Sequence, residues 1–236
     1  MSTRFLIVSS IFEQFPDVMV GILVCRDLTN PPSVPEVTTL LRDAEARLRS
    51  RIASADALKE HPTIAAWQEI HRRFGSNPNK FPPSIQALAK RVLKGGTLPT
   101  ISTLVDLYNV ASLTFMIPAG GEDLDQASGD ITLTFAEGTE PFQALGESEN
   151  ESPNPGEVVY RDSAGVICRR WNWREGARTR LTQQTKNAVL VLEAVPPNSR
   201  SDLETALDVL SAHVQRFCGG TIREEILDRN QQGVEV

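Results

Sequence analysis

Three short apolar runs, Arg4 to Ser9, Asp17 to Cys25 and Val189 to Val195, constrain this chain more than any other feature. Each is rich in Val, Ile, Leu or Phe and too short for a stand-alone helix, so each reads as a strand rather than a helix. The third is interrupted only by Glu193. A carboxylate there either faces solvent on a sheet edge or is buried with a dedicated partner, because an unpaired buried charge is expensive. On residue type alone the solvent-facing reading is favoured.

Between these runs the apolar period changes. After the break at Asn30-Pro31-Pro32, Val37, Leu40, Leu41, Ala44, Leu48 and Ile52 recur at three- and four-residue steps, which predicts a helix from Glu36 to Lys59. Further helices are predicted from Pro62 to about Arg73, from Pro83-Ser84 to about Leu93, and from Ile101 to Met116. The last is mostly apolar, hence buried, and carries Asp106 and Asn109 three apart on one face. Two polar groups there need partners, either each other or a ligand. Pro118-Ala119-Gly120-Gly121 reads as a turn that allows close backbone approach.

Asp130 to Phe135 and Pro141 to Leu145 read as strands, and residues 146–155 as an exposed acidic loop. Glu157 to Tyr160 and Gly165 to Ile167 form a hairpin around the turn Asp162-Ser163-Ala164-Gly165. Ser201 and Glu204 have capping-box spacing at the head of a C-terminal helix that Gly219-Gly220 ends, and residues 222–236 read as a frayed polar tail. The whole is one α+β domain over residues 1–236: N-terminal strands and helix (1–60), a central section, and a C-terminal helix (201–220).

Lys and Arg number 24 against 30 Asp and Glu, a formal charge of −6, so the molecule as a whole is not a basic nucleic-acid binder. The charges are blocked, however. His71 to Val105 holds six bases and no acid, Glu122 to Glu157 ten acids and no base, and Arg161 to Arg180 six arginines against two acids. Such blocks set a basic face beside an acidic one, or are ordinary solvated surface. Three scattered cysteines argue against a disulfide framework, and no spacing suits a metal or a cofactor, so none is expected. With no signal-peptide pattern and no membrane-length apolar run, a cytoplasmic protein is expected.

No nucleophile elbow, phosphate loop or dinucleotide fingerprint is present, so water is a better candidate nucleophile than any side chain. His61 and His71 have no carboxylate or cysteine at useful spacing and read as surface or capping residues. The densest chemistry is Cys168-Arg169-Arg170-Trp171-Asn172-Trp173-Arg174, which could stack a base or aromatic ligand, or bury its tryptophans in a core.

Several motifs in order resemble the B3/B4 editing domain of the phenylalanyl-tRNA synthetase β-subunit. They are Leu104-Val105-Asp106-Leu107-Tyr108-Asn109, Pro118, Asp123-Leu124-Asp125, Gly129-Asp130-Ile131, Gly156 to Asp162, and Thr185-Lys186-Asn187-Ala188. The likeness is clearest over residues 72–195. Phe81-Pro82-Pro83-Ser84, Val92-Leu93-Lys94-Gly95-Gly96 and Arg169 to Arg174 further resemble stand-alone versions of that domain. The resemblance implies a β-sandwich-like core with helices packed around it, and hydrolysis of the ester of a mischarged tRNA. It places the family's substrate-reading glutamate at Glu193, now expected to face a pocket, with Asp106 and Asn109 nearby. Where the synthetase has a pocket histidine this chain has Gly120, and Arg170-Trp171-Asn172-Trp173 replaces a glycine-rich wall. A bulky polar wall changes which side chain fits.

The expectation is a deacylase acting in trans. Glu193, Asn172, Trp171, Asp106 and Asn109 would bind substrate, and the amides of Gly120 and Gly121 would hold the oxyanion. Arg169, Arg170, Arg174, Arg178, Arg180, Lys90, Arg91 and Lys94 would meet tRNA phosphates. A pocket that binds an amino acid or aminoacyl-tRNA without catalysis, or a hairpin whose tryptophans are core, are the open alternatives.

Overall fold

A computed structural model describes residues 3–236. In chain order the elements are β1 (Arg4–Ile7), α1 (Ser9–Gln14), β2 (Met19–Arg26), α2 (Pro35–Arg51), a 3-10 turn (Ala57–Glu60), α3 (Pro62–Arg73), α4 (Ser84–Leu93) and α5 (Thr103–Phe115). There follow β3 (Ala119–Asp123), β4 (Ile131–Phe135), β5 (Val158–Asp162), β6 (Gly165–Arg169), β7 (Arg174–Glu175) and β8 (Ala188–Ala194). The chain continues through α6 (Arg200–Cys218), β9 (Thr221–Leu227) and β10 (Gly233–Glu235). The fold class is α+β.

The strands form two sheets, one ordered β10-β1-β4-β5-β6-β7 and one ordered β3-β8-β2-β9. Among the described residues only β1 and β4 pair in parallel; the remaining ladders are antiparallel. Side chains alternate across a strand, and in the second sheet both faces are covered. Val20, Ile22 and Val24 pack toward the first sheet with Phe5, Ile131 and Tyr160, whereas Leu23, Cys25, Leu190 and Leu192 pack against α5 and α6. That is why β2 and β8 read as continuous apolar runs. A third apolar cluster joins α2, α4 and α5 through Leu41, Leu48, Ile85, Val92 and Leu113.

Several local expectations are corrected. The first apolar run stops as a strand at Ile7, and Ser9 already opens a helix, α1. The long helix stops at Arg51, and the Ala57 amide then donates to the Ser54 hydroxyl, a local bond of the kind that competes with helix. Residues 141–145 form no strand but meet neighbours through isolated bridges at Gln143 and Ala144. The C-terminal helix is capped by Ser199 with Asp202 in reciprocal hydrogen bonds, not by Ser201 with Glu204. Pro118 to Gly121 enters a strand, β3, and residues 222–236 are not a frayed tail. Ile222 to Leu227 pair with β2, and Gly233 to Glu235 pair with β1.

Candidate functional site

A single phase of β8 sets the site. Val189 and Val191 point into the space between the sheets, and Glu193, two residues on, points the same way. Its side chain reaches a cavity of about 30 Å³ lined by Phe5, Ile131, Ile167, Val191, Trp171 and Asn172, with the β3 glycines at one wall. Glu193 is only 2 % exposed, so the solvent-facing reading is overturned; β8 lies between β3 and β2 and has no free edge.

Two donors hold this carboxylate. The Tyr160 hydroxyl donates to Oε1 at 2.5 Å, and the Asn172 amide nitrogen donates to Oε2 at 2.7 Å. Asn172 is oriented in turn by His71, whose Nε2 lies 3.2 Å from Asn172 Oδ1. Because that amide oxygen can only accept, the imidazole carries its proton on Nε2. Burial pushes His71 down to about 4, so it is neutral near pH 7. Burial lifts Glu193 to about 7 against the opposing pull of its hydrogen bonds. The indole N–H of Trp171 also favours the charged Glu193 carboxylate, without closing a bond of full hydrogen-bond geometry.

The segment that delivers Trp171 and Asn172 is a tight turn. Arg170 and Trp171 both occupy the left-handed region, at φ 48° and 65°. That conformation is uncommon for non-glycine residues and persists only where surroundings impose it. Here the Trp171 amide donates to the Val158 carbonyl at 2.6 Å, and the Arg170 amide donates to Glu157 Oε1 at 3.2 Å. Glu157 also takes Arg169 in a bidentate pair, Nε to Oε1 at 2.9 Å and Nη2 to Oε2 at 3.0 Å. Trp171 is fully buried, edge-on to Trp67 at 5.4 Å and to Phe15 at 5.2 Å. The Arg170 guanidinium carbon lies over the Phe81 ring, 3.8 Å from its centre, and the Asn172 carbonyl accepts from the Ser84 amide at the head of α4. Trp171 thus fills core and lines the cavity at once.

The arginine block is therefore largely committed within the molecule. Arg169 and Arg170, 1 % and 6 % exposed, are not available to tRNA phosphates. Arg178 is bound to the buried Asp162 by two bonds of 2.8 and 2.6 Å. Arg174 pairs with Glu147 at 2.5 Å, an exposed pair worth little. The acidic block and the arginine block are in good part partners of each other. Arg180, Lys90, Arg91 and Lys94 remain on the surface.

Asp106 and Asn109 belong elsewhere. Both are on α5, on the helical side of the second sheet, and neither lines the cavity. Asp106 Oδ1 accepts the Ile101 amide and so shapes the entry to its own helix, a structural role. The proposed pair of glycine amides also separates. Glu193 N–H donates to the Pro118 carbonyl and Leu124 N–H to that of Asn187, which fixes the phase of the β3–β8 ladder. In that phase the Gly120 amide is spent on Val191, and only that of Gly121 points away from the ladder.

Sequence reading missed His71, Tyr160, Glu157, Glu122 and Glu175 as parts of the site. Glu122 and Glu175 line the same cavity as Glu193. The alternation Gly120–Glu122 in a strand could have suggested Glu122, had the glycines been read as strand; the contact of His71 with Asn172, 101 positions apart, had no local signal.

A family model described as the B3/4 domain matches residues 66–228. The chain belongs to the B3/4 domain family. Among solved structures, this B3/4 protein is similar to an N-terminal fragment of the phenylalanyl-tRNA synthetase β-subunit from Pyrococcus horikoshii. The TM-score is 0.50 and the identity 15 %, over 94 % of this chain and 51 % of that one. At that identity the likeness concerns the fold, and the chain spans about half the fragment's length. Comparison with curated proteins gives no match. Among the described residues no helix is long and apolar enough to cross a membrane.

Proposed function

We propose that this B3/4 protein hydrolyses the ester of a mischarged tRNA, with the aminoacyl group in the cavity between the sheets. The observation that carries this reading is the convergence of Glu193, Asn172 and Gly120 on one cavity with a mostly apolar lining. The Ser84 hydroxyl in the lining has no hydrogen-bond partner that could activate it as a nucleophile. The Cys168 thiol lines the cavity, but burial raises it well above its ordinary value, which leaves it protonated and inert. An ordered water is the attacking group, oriented with help from the terminal ribose hydroxyl of the tRNA.

The cavity favours a small amino-acid side chain. A water needs roughly 10–15 Å³ of such space, so about 30 Å³ holds two or three. The tRNA would lie over Lys90, Arg91 and Lys94. Ser84, at the start of the same helix, lines the cavity, and at ~1.5 Å per residue these bases stand about 9–15 Å away along the axis. Arg180 and Arg174 extend the contact, while Arg169, Arg170 and Arg178 hold the fold.

A panel of mischarged tRNAs, with small side chains prominent, tests this. At least one ester should be lost faster than in buffer, and Asn172→Ala should slow that loss by about 10²-fold, the scale of one removed active-site hydrogen-bond partner. Loss at the buffer rate for every species would sink the proposal.

A further inference from the structure

Two aromatic side chains stand apart from the core. Among the described residues, Phe81 and Trp173 belong to none of the apolar clusters that hold the sheets and helices together. Both are half-buried, and they meet edge to face with ring centres 4.6 Å apart. Cations surround them. Arg170, seated over Phe81, also has its guanidinium carbon 5.6 Å from the Trp173 ring centre. Lys80 Nζ stands 5.1 Å from the Phe81 centre, and the Arg174 guanidinium carbon 5.9 Å from that of Trp173. Arg170 is committed to the buried Glu157. Arg174 pairs with Glu147 in an exposed contact that a competing anion displaces at little cost. Lys80 is exposed and has no ion-pair partner among the described residues.

Both rings are held in place by the backbone around them. The Phe81 and Lys80 amides donate to the Asn77 carbonyl at 2.8 and 3.1 Å, and the Asn79 amide donates to Asn77 Oδ1 at 3.0 Å. Pro82 and Pro83 follow and restrict the chain. The Trp173 amide donates to the Arg169 carbonyl at 3.1 Å, and the Ser84 amide to the Asn172 carbonyl at 3.0 Å, which joins the two segments. A platform fixed in this way loses little freedom when a ligand lands on it.

That joint lies at the cavity. Ser84 and Asn172 both line it, and Ser84, Ala119 and Glu175 are lining residues that reach solvent. Phe81 and Trp173 therefore stand at the rim, three residues before Ser84 and one after Asn172. In an aminoacyl-tRNA the terminal nucleobase is one ribose away from the ester, and a phosphate precedes it. With the aminoacyl end in the cavity, a flat ring and an anion arrive where half-exposed rings and two available cations are waiting. Aromatic side chains stack on any base, and neighbouring cations complement the phosphate. An apolar peptide would make no use of those cations.

We propose that Phe81 and Trp173 form the stacking site for the terminal nucleobase of the tRNA, with Lys80 and Arg174 on the phosphate before it. This rests on the reading of the cavity as an aminoacyl site and names how the RNA end is held beside it.

Fluorescence anisotropy tests this at one fixed salt concentration, with a labelled acceptor-stem RNA that has a single-stranded 3′ end and the same RNA lacking its terminal adenosine. Removing the adenosine should weaken binding to the unaltered protein about tenfold, the scale of one base–aromatic stack. Trp173→Ala should weaken binding of the full RNA by the same factor and leave the shortened RNA unaffected, and Trp173→Phe should restore most of the loss. An RNA with 2-aminopurine as its terminal base should lose emission on binding, as that base does when stacked, and this arm needs no variant. Absence of RNA binding, no loss of emission, equal affinities for the two RNAs, or an equal effect of Trp173→Ala on both overturns the proposal. Neither RNA carries an ester, so the outcome is separable from hydrolysis. If an ester is hydrolysed while the terminal base makes no difference to binding, the enzyme stands and the stacking site falls. If the terminal-base effect holds while no tRNA is deacylated, the stacking site stands and the hydrolase reading falls.

Discussion

Replacing Glu157 with alanine is expected to cost about 3–5 kcal/mol of folding stability, the scale for removing one partner of a buried ion pair. Its two oxygens take Arg169 in a bidentate pair and the Arg170 backbone amide, and the Arg170 guanidinium lies 3.4 Å away. Without the carboxylate, the buried Arg170 loses its counter-charge, the buried Arg169 keeps only the exposed Glu151, and the left-handed turn at Arg170 and Trp171 loses its clamp. The arginines cannot escape by giving up their protons at accessible pH. Urea denaturation measures the loss. Glu157→Gln should be milder, because it keeps the shape and part of the hydrogen bonding. A loss below about 1 kcal/mol for the alanine variant would show that the turn is held by its aromatic packing instead.

The second large effect is on pH dependence, through Glu193→Gln. Burial lifts the Glu193 carboxyl from 4.5 to about 7, so the folded chain holds its proton more tightly than the unfolded chain does. Between those values the folded state binds more protons, and stability falls as pH rises. The contribution is complete below about 4.5 and is lost as pH passes about 7. At ~1.36 kcal/mol for each tenfold change in proton affinity, it amounts to about 3 kcal/mol. Glutamine cannot ionise, so denaturation midpoints of the variant should fall less steeply from pH 5 to 8. Some slope should persist, because burial raises Glu122 and Glu175 in the same direction. Parallel curves for the two proteins would contradict the assignment.

Strands and helices that bury an apolar face were legible in the residues: β2, α3, α4, α5 and β8 fall within a few positions of their apolar patterns. What escaped reading has a common physical reason. The strands in residues 222–236 are held by backbone pairing to β2 and β1, while many of their side chains stay in solvent, so no apolar alternation marks them. Gly120-Gly121 looked like a turn, yet at Gly121 a Cβ would stand 2.5 Å from Leu190 Cδ2, and the glycine is there for close strand packing. Residue averages favoured an exposed Glu193 because they do not register that β8 has neighbours on both sides. The resemblance to the synthetase domain supplied the pocket-facing placement. The arginine block looked like a nucleic-acid surface because its counter-ions, Glu147, Glu151 and Glu157, lie in a separate stretch of sequence.

The edge-on pair of Trp67 and Trp171 gives this molecule a built-in optical reporter. Two indoles 5.4 Å apart in a dry environment share their electronic transitions, and one of them forms part of the cavity wall. Trp173, the third indole, sits outside that pair against Phe81 at 4.6 Å. A ligand that enters the cavity changes the surroundings of one chromophore in the coupled pair. The emission and near-ultraviolet dichroism of the unlabelled protein therefore register occupancy of the cavity and integrity of the turn in the same spectrum.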